Sequence, residues 1–203
     1  MNTNLAIIFD FGGVLIDWNP RHLYRKLLAS EQAVEDFMRE IGFAEWNLEQ
    51  DKGRPLPEGV AELSAKFPQY CDLIQAYDLR YDESILGPIQ PTVDVLFRLK
   101  QAGYSLYGLS NWNGDKFQSV RRQYPFLEWF DDIVISGEVK LAKPDPRIFQ
   151  VLLARIGRTA GECLFVDDSA ANIATAQQLG FATIHYRSPQ QLEETLRRMG
   201  LLC

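Results

Sequence analysis

Four short stretches of the chain hold the side chains able to do chemistry. Asp10 is followed by Phe11-Gly12-Gly13-Val14, and Ser110-Asn111 follow Leu109. Lys143 opens Lys143-Pro144-Asp145-Pro146, and Asp167-Asp168-Ser169 leads into Ala170-Ala171-Asn172. Carboxylates gathered in one place raise one another's pKa unless a cation neutralises them, and hard oxygen donors with an open coordination position suit Mg2+. A convergence of Asp10, Asp167 and Asp168 therefore implies a divalent metal. The glycines after Asp10 allow a sharp backbone turn, so that amide N–H groups can hold an anion and a main-chain oxygen can face the metal. Asp10 is then placed to attack phosphorus as a nucleophile, giving an aspartyl-phosphate that water hydrolyses. Lys143 supplies a fixed positive charge, while the Ser110 hydroxyl and the Asn111 amide hold the transferring oxygens. Singly, each residue has a plainer reading: Asp10 as a turn former, Asp167 to Ser169 and Asn111 as helix caps, Lys143 as a solvated lysine.

The elements that must bring these stretches together are legible as alternating strands and helices. Continuous apolar runs at residues 5–9, 104–109, 133–135, 163–166 and 182–185 have the pattern of strands covered on both faces, as in a parallel sheet. Helical stretches ending near 102, 156, 179 and 199 are each followed by glycine, the residue that most readily terminates a helix. Strand and helix alternating from residue 91 onward predict right-handed βαβ units and an α/β fold, a Rossmann-like, doubly wound parallel sheet. In such sheets ligands bind beyond the carboxyl ends of the strands, which is where the reactive stretches fall. Residues 17–90 read differently, as amphipathic helices over 22–29, 31–41, 57–66 and 69–79 with no strand among them and a kinked connector at 53–57. The expected division is a core of residues 1–16 and 91–203 with an inserted α-helical cap over 17–90. Lys143 is expected to begin the helix after the third strand.

Composition narrows the partners. The 203 residues carry 21 Lys and Arg against 27 Asp and Glu, a net charge of −6, which argues against binding along a nucleic-acid backbone. A phosphorylated ligand must therefore be met by a few local donors or a metal. Cys71, Cys163 and Cys203 form no paired framework or metal-ligand spacing, and the amino-terminal stretch is too short in apolar residues for a leader or membrane span. The expectation is a cytoplasmic protein that acts on a small molecule, with no membrane association and no obligate protein partner.

The four stretches, in this order and separated by a helical insert, resemble the haloacid dehalogenase-like hydrolases whose cap is inserted after the first strand. The first motif most resembles a small glucose-1-phosphate phosphatase-like branch. The resemblance implies Asp10 as nucleophile and metal ligand, with the Gly12 carbonyl and Asp168 completing the protein ligands to Mg2+. It implies that Asp167 and Asn172 hold metal-bound waters or orient the loop, and that Ser110, Asn111 and Lys143 bind the phosphoryl group, Lys143 also pairing with Asp10. One departure matters. Most phosphatases of the family carry a second aspartate two residues after the nucleophile to protonate the leaving alcohol, and here that position is Gly12. Proton transfer of this kind contributes about 10²–10⁴ in rate, so a slower enzyme or a better leaving group, such as an anomeric sugar phosphate, is implied. Asp17 and Glu45 are the candidate substitutes. The expected function is a Mg2+-dependent phosphatase of small metabolites. Two alternatives stand beside it: a 2-haloacid dehalogenase-type hydrolase, whose members usually replace the acid pair by Ser or Asn, and a catalytically impaired binding protein.

Overall fold

The computed structural model describes residues 5–202; the amino-terminal residues 1–4 and Cys203, on which part of the leader and cysteine readings falls, lie outside them. Five parallel strands form the central sheet in the order β5-β4-β1-β6-β7, with β1 Ala6–Phe9, β4 Ser105–Ser110, β5 Asp132–Ile135, β6 Cys163–Asp167 and β7 Ala182–His185. These are the expected strands. Their apolar runs are continuous because both faces are covered: Ile7, Phe9, Leu164 and Val166 face one apolar cluster, while Ala6, Ile8, Cys163 and Phe165 face the other. The chain fills one side of β1 with β4 and β5 and then crosses to the other with β6 and β7. The strand order thus reverses between β1 and β6, the crevice in which α/β sheets bind ligands.

Helices α6 Gln90–Gln101, α9 Pro146–Ile156, α10 Ala170–Gln178 and α11 Pro189–Arg198 flank the sheet, each followed within two residues by a glycine of positive φ. Two short helices, α7 Gly114–Gln123 and α8 Ser136–Val139, follow β4 and β5. Asn113 caps α7 by accepting from the Lys116 N–H. Lys143 does not begin α9; Asp145 caps that helix, and Lys143 lies ahead of it in the loop.

The segment inserted after β1 is the helical cap. It holds α1 Pro20–Tyr24, α2 Glu31–Glu40, α3 Phe43–Asp51, α4 Leu56–Lys66 and α5 Cys71–Leu79. Two expectations are corrected here. Residues 17–90 are not free of strands, because β2 Ile16–Trp18 and β3 Ile85–Pro88 pair antiparallel where the chain leaves and re-enters the core. The first cap helix is also shorter than the expected 22–29 and begins earlier, since Asn19 caps it and Pro20 occupies its first turn, where a missing N–H costs nothing. Cap and core share one apolar interior: Leu23, Phe37, Trp46 and Tyr77 belong to the same buried cluster as Phe9, Phe11 and Val166. Among the described residues, no helix is long and apolar enough to cross a membrane.

Candidate active site

The strand-end residues meet as the sequence implies. Asp10 leaves β1 at its carboxyl end, with its backbone N–H still bonded to the Val166 carbonyl of β6 at 2.9 Å. Three donors converge on its Oδ1: the Phe11 N–H at 2.7 Å, the Ser110 hydroxyl at 2.7 Å and the Lys143 ammonium at 3.0 Å. Among the described residues Oδ2 accepts no hydrogen bond, so it is the oxygen available to a ligand. Burial first, then the charges of Asp167 and Asp168, push the Asp10 carboxyl up to about 7 against the pull of Lys143 and Ser110.

Lys143 is 2% exposed, which excludes a solvated lysine. Its ammonium donates to the Leu109 carbonyl at 2.7 Å and to Asp167 Oδ2 at 2.6 Å. Burial alone would lower its pKa, but Asp10 and Asp167 outweigh that cost and hold it above the usual lysine value. Asn111 holds this lysine by its backbone: Nδ2 donates to the Lys143 carbonyl at 2.9 Å and Oδ1 accepts from the Lys143 N–H at 2.8 Å. The structure thus puts Ser110 on the nucleophile and Asn111 on the lysine loop, and both still line the cavity. Of the Asn111 amide hydrogens, one remains for a ligand.

Asp167 and Asp168 diverge although adjacent. Asp167 is fully buried and accepts from Lys143, from the Ser169 N–H at 2.8 Å and from Asn172 Nδ2 at 3.0 and 3.1 Å. Its oxygens are already engaged by protein donors, so it orients rather than offers an open oxygen. Asp168 is exposed, and its pKa is raised by partial burial and by Asp167, with Lys143 opposing. Gly13 makes this approach possible: its φ is +74°, and a Cβ there would stand 2.5 Å from Asp168 Oδ2. In the same turn the Leu15 and Ile16 N–H groups bond to the Phe11 carbonyl and Gly13 N–H to the Ile16 carbonyl, leaving the Gly12 carbonyl outside this network.

Carboxylate oxygens of Asp10, Asp167 and Asp168 lie within 4.8 Å of one another. With Lys143 the one buried cation among three carboxyls, the cluster carries excess negative charge, and an all-oxygen donor set of this spacing fits a hard divalent ion such as Mg2+. The cluster opens into a cavity of about 900 Å³ between core and cap. Five carboxyls line it (Asp10, Glu35, Glu45, Asp51 and Asp168) against three cations (Arg21, Arg39 and Lys143), an imbalance that disfavours an anionic ligand unless a metal enters too.

Of the candidate proton donors, Asp17 does not line the cavity and accepts from His22 Nε2 at 3.0 Å, whereas Glu45 lines it in an exposed position. Beside Gly12 the nearest groups are the rings of Trp112 and Trp18, 3.8 and 4.0 Å from where a Cβ would stand. The residue that sequence reasoning missed is Asp51, the last residue of α3, whose carboxyl burial and the Asp10 charge push up to about 7. An acid in the last turn of a helix opposes the helix dipole, and that mismatch was its one sequence signal.

The motifs, the fold and the site agree with the comparison to known proteins: the haloacid dehalogenase-like hydrolase profile matches residues 5–180. The chain belongs to that family and is a hydrolase. It is 28% identical over 181 residues, 89% of this chain and 88% of the relative, to sesquiterpene phosphatase astK of Aspergillus oryzae. It is 33% identical over 99 residues, 49% of this chain and 43% of the relative, to (S)-2-haloacid dehalogenase 4A of Burkholderia cepacia. A HAD family enzyme of Bacteroides thetaiotaomicron, solved as a magnesium complex, has the same fold with a TM-score of 0.73 and 24% identity, covering 95% of this chain and 98% of that one.

Proposed function

We propose that the protein is a Mg2+-dependent phosphatase of a small phosphorylated metabolite in the cytoplasm, with a sugar or polyol phosphate as the substrate class. Residues 1–16 and 91–203 serve as the catalytic core and residues 17–90 as the cap that selects the leaving group. The observation that carries this reading is the approach of the Asp10 and Asp168 oxygens within a three-carboxylate cluster against one buried lysine. Asp10 Oδ2, Asp168 and the Gly12 carbonyl would hold Mg2+, which when bound offsets the charge of the transferring phosphoryl group. Asp10 attacks phosphorus, and the aspartyl-phosphate so formed is hydrolysed by water. Lys143 keeps Asp10 oriented and meets the developing charge, Ser110 and Asn111 contribute at the phosphoryl oxygens, and Asp167 and Asn172 hold the loop and the water positions around the ion. Cap and core together exclude bulk water from the reacting group. A cavity of about 900 Å³ has room for a leaving group of metabolite size beyond the phosphate.

The partial match to a 2-haloacid dehalogenase favours one rival, in which Asp10 attacks carbon and no dication is needed. The intact Asp167-Asp168 pair supports the phosphatase instead. Phosphate release from a panel of sugar and polyol phosphates, with and without Mg2+, separates the two. Release that requires Mg2+ and is lost in Asp10→Asn is expected; halide release from 2-haloacids without Mg2+, and no phosphate, would overturn the reading.

A further inference from the structure

The glycine at position 12 leaves the leaving-group oxygen without a proton source on the nucleophile's own turn, and the same cavity is lined by a cap carboxyl, Asp51, near enough for the Asp10 charge to act on it. The terminal turn of α3 is fixed to the core. The Ser136 hydroxyl donates to the Asp51 carbonyl at 2.5 Å, and Asn113 Nδ2 reaches the Gln50 carbonyl at 3.4 Å. Gly53, with φ +95°, lets the chain pass so close to the core that a Cβ would stand 2.6 Å from the Gly137 carbonyl. The carboxyl itself is oriented by an amide donor. Asn47 Nδ2 donates to Asp51 Oδ2 at 3.0 Å, with Asn47 held in turn by the Tyr77 hydroxyl at 2.8 Å, and the Asn113 backbone N–H lies near enough to lower the Asp51 pKa against burial. Among the described residues no lysine or arginine pairs with Asp51, although it lines the same cavity as Asp10. Of the other carboxyls there, Glu35 is paired with Arg21 at 2.5 Å, Glu45 is exposed, and Asp168 belongs to the three-carboxylate cluster.

We propose, resting on the phosphatase reading above, that Asp51 of the cap is a catalytic residue that protonates the leaving group and then activates water. As the Asp10–phosphorus bond forms and the phosphorus–oxygen ester bond breaks, the Asp51 proton passes to the departing oxygen, which leaves as an alcohol. Asp51, now a carboxylate, takes a proton from water as that water attacks phosphorus of the aspartyl-phosphate, releasing phosphate and restoring the Asp10 carboxylate and the Asp51 acid. A carboxyl near 7 is protonated at neutral pH far more often than an ordinary aspartate. Burial is the larger cause of that shift and the Asp10 charge the smaller. The titratable groups facing Asp51 are Asp10, Tyr77 and Tyr81, and both phenols are themselves held well above their usual pKa by burial.

The test compares two leaving groups, because an aliphatic alkoxide needs a proton and a nitrophenolate does not. In Asp51→Asn, kcat/KM for a polyol phosphate is expected to fall by about 10²–10⁴, and that for p-nitrophenyl phosphate by about tenfold or less. Asp51→Glu, which keeps the acid, is expected to stay within about tenfold of the wild-type ratio between the two substrates. Retained p-nitrophenyl phosphate turnover in Asp51→Asn reports a folded site. An equal change on both substrates, whether no loss or a complete one, overturns the proposal while leaving the phosphatase standing. Wild-type protein that hydrolyses neither substrate in Mg2+ overturns the phosphatase reading and this proposal with it.

Discussion

Asp10, buried, and Asp51, half-buried, are two carboxyls that line one cavity, one at the end of a core strand and the other at the end of a cap helix. Asp10 is met by an ammonium, a hydroxyl and a backbone N–H, and it lies among two further carboxyls able to share a dication. Among the described residues the Asp51 carboxyl accepts from a neutral donor, Asn47, and pairs with no cation. The same functional group is thereby prepared for opposite tasks. Burial raises both carboxyls to about 7, and it is a dication shared with Asp168 that would hold Asp10 ionised for the proposed roles of nucleophile and ligand. Asp51 belongs to no such cluster among the described residues, so its raised carboxyl stays available to carry a proton near neutral pH. On the proposed mechanism the core supplies the charged half of the chemistry and the cap the neutral half, which puts the choice of leaving group and its protonation on the same element.

The comparison can be broken most severely at Asp10. Asp10→Asn removes the nucleophile and is expected to lower phosphate release by at least about 10⁴-fold under saturating Mg2+. Next is Lys143, the cation that separates the two environments. Lys143→Met leaves Asp10 and Asp167 buried without it, and loss of turnover is expected together with a destabilisation of about 3–5 kcal/mol in urea unfolding. Asp51 sharpens the contrast through stability. Its carboxyl is raised from 3.8 to about 7 in the folded protein, so between those values the folded state holds more proton than the unfolded one, and its contribution to stability declines as pH rises through that window. Asp51→Asn removes the titration. Relative to wild type, the variant is expected to gain about 1–3 kcal/mol at pH 8 over its value at pH 4, read from unfolding curves at both. The smallest effect is expected at Asp17, which bonds to His22 outside the cavity. Asp17→Asn should change kcat/KM by no more than about twofold, as for substitutions away from buried networks.

The core was readable because its strands are covered on both faces, and two-sided burial demands the uninterrupted apolar runs that stand out in the sequence. The strand ends followed from the fold, and with them the meeting of Asp10, Ser110, Lys143, Asp167 and Asp168. The cap was less legible. β2 and β3 are three and four residues long and include Asp17, Gly87 and Pro88, so neither shows a strand-like pattern. α3 escaped because its buried residues, Phe43, Trp46, Asn47 and Gln50, mix apolar and amide side chains and give no apolar stripe. The fine division of labour at the site was hidden for a related reason. That Asn111 braces the Lys143 backbone and that Asp51 lines the same cavity as Asp10 are facts of tertiary packing, with partners dozens of residues away in the chain. Local sequence encodes the strand-end acids through the strands that carry them, but only packing of cap on core gives Asp51 its surroundings.

The most direct measurement is reduction of the enzyme by borohydride during steady turnover of a phosphate ester, followed by peptide mass analysis. An aspartyl-phosphate at position 10 is converted to homoserine, and that change is expected only when substrate and Mg2+ are both present. Turnover that continues with Asp10 unmodified under these conditions, or that persists in Asp10→Asn, would contradict the account.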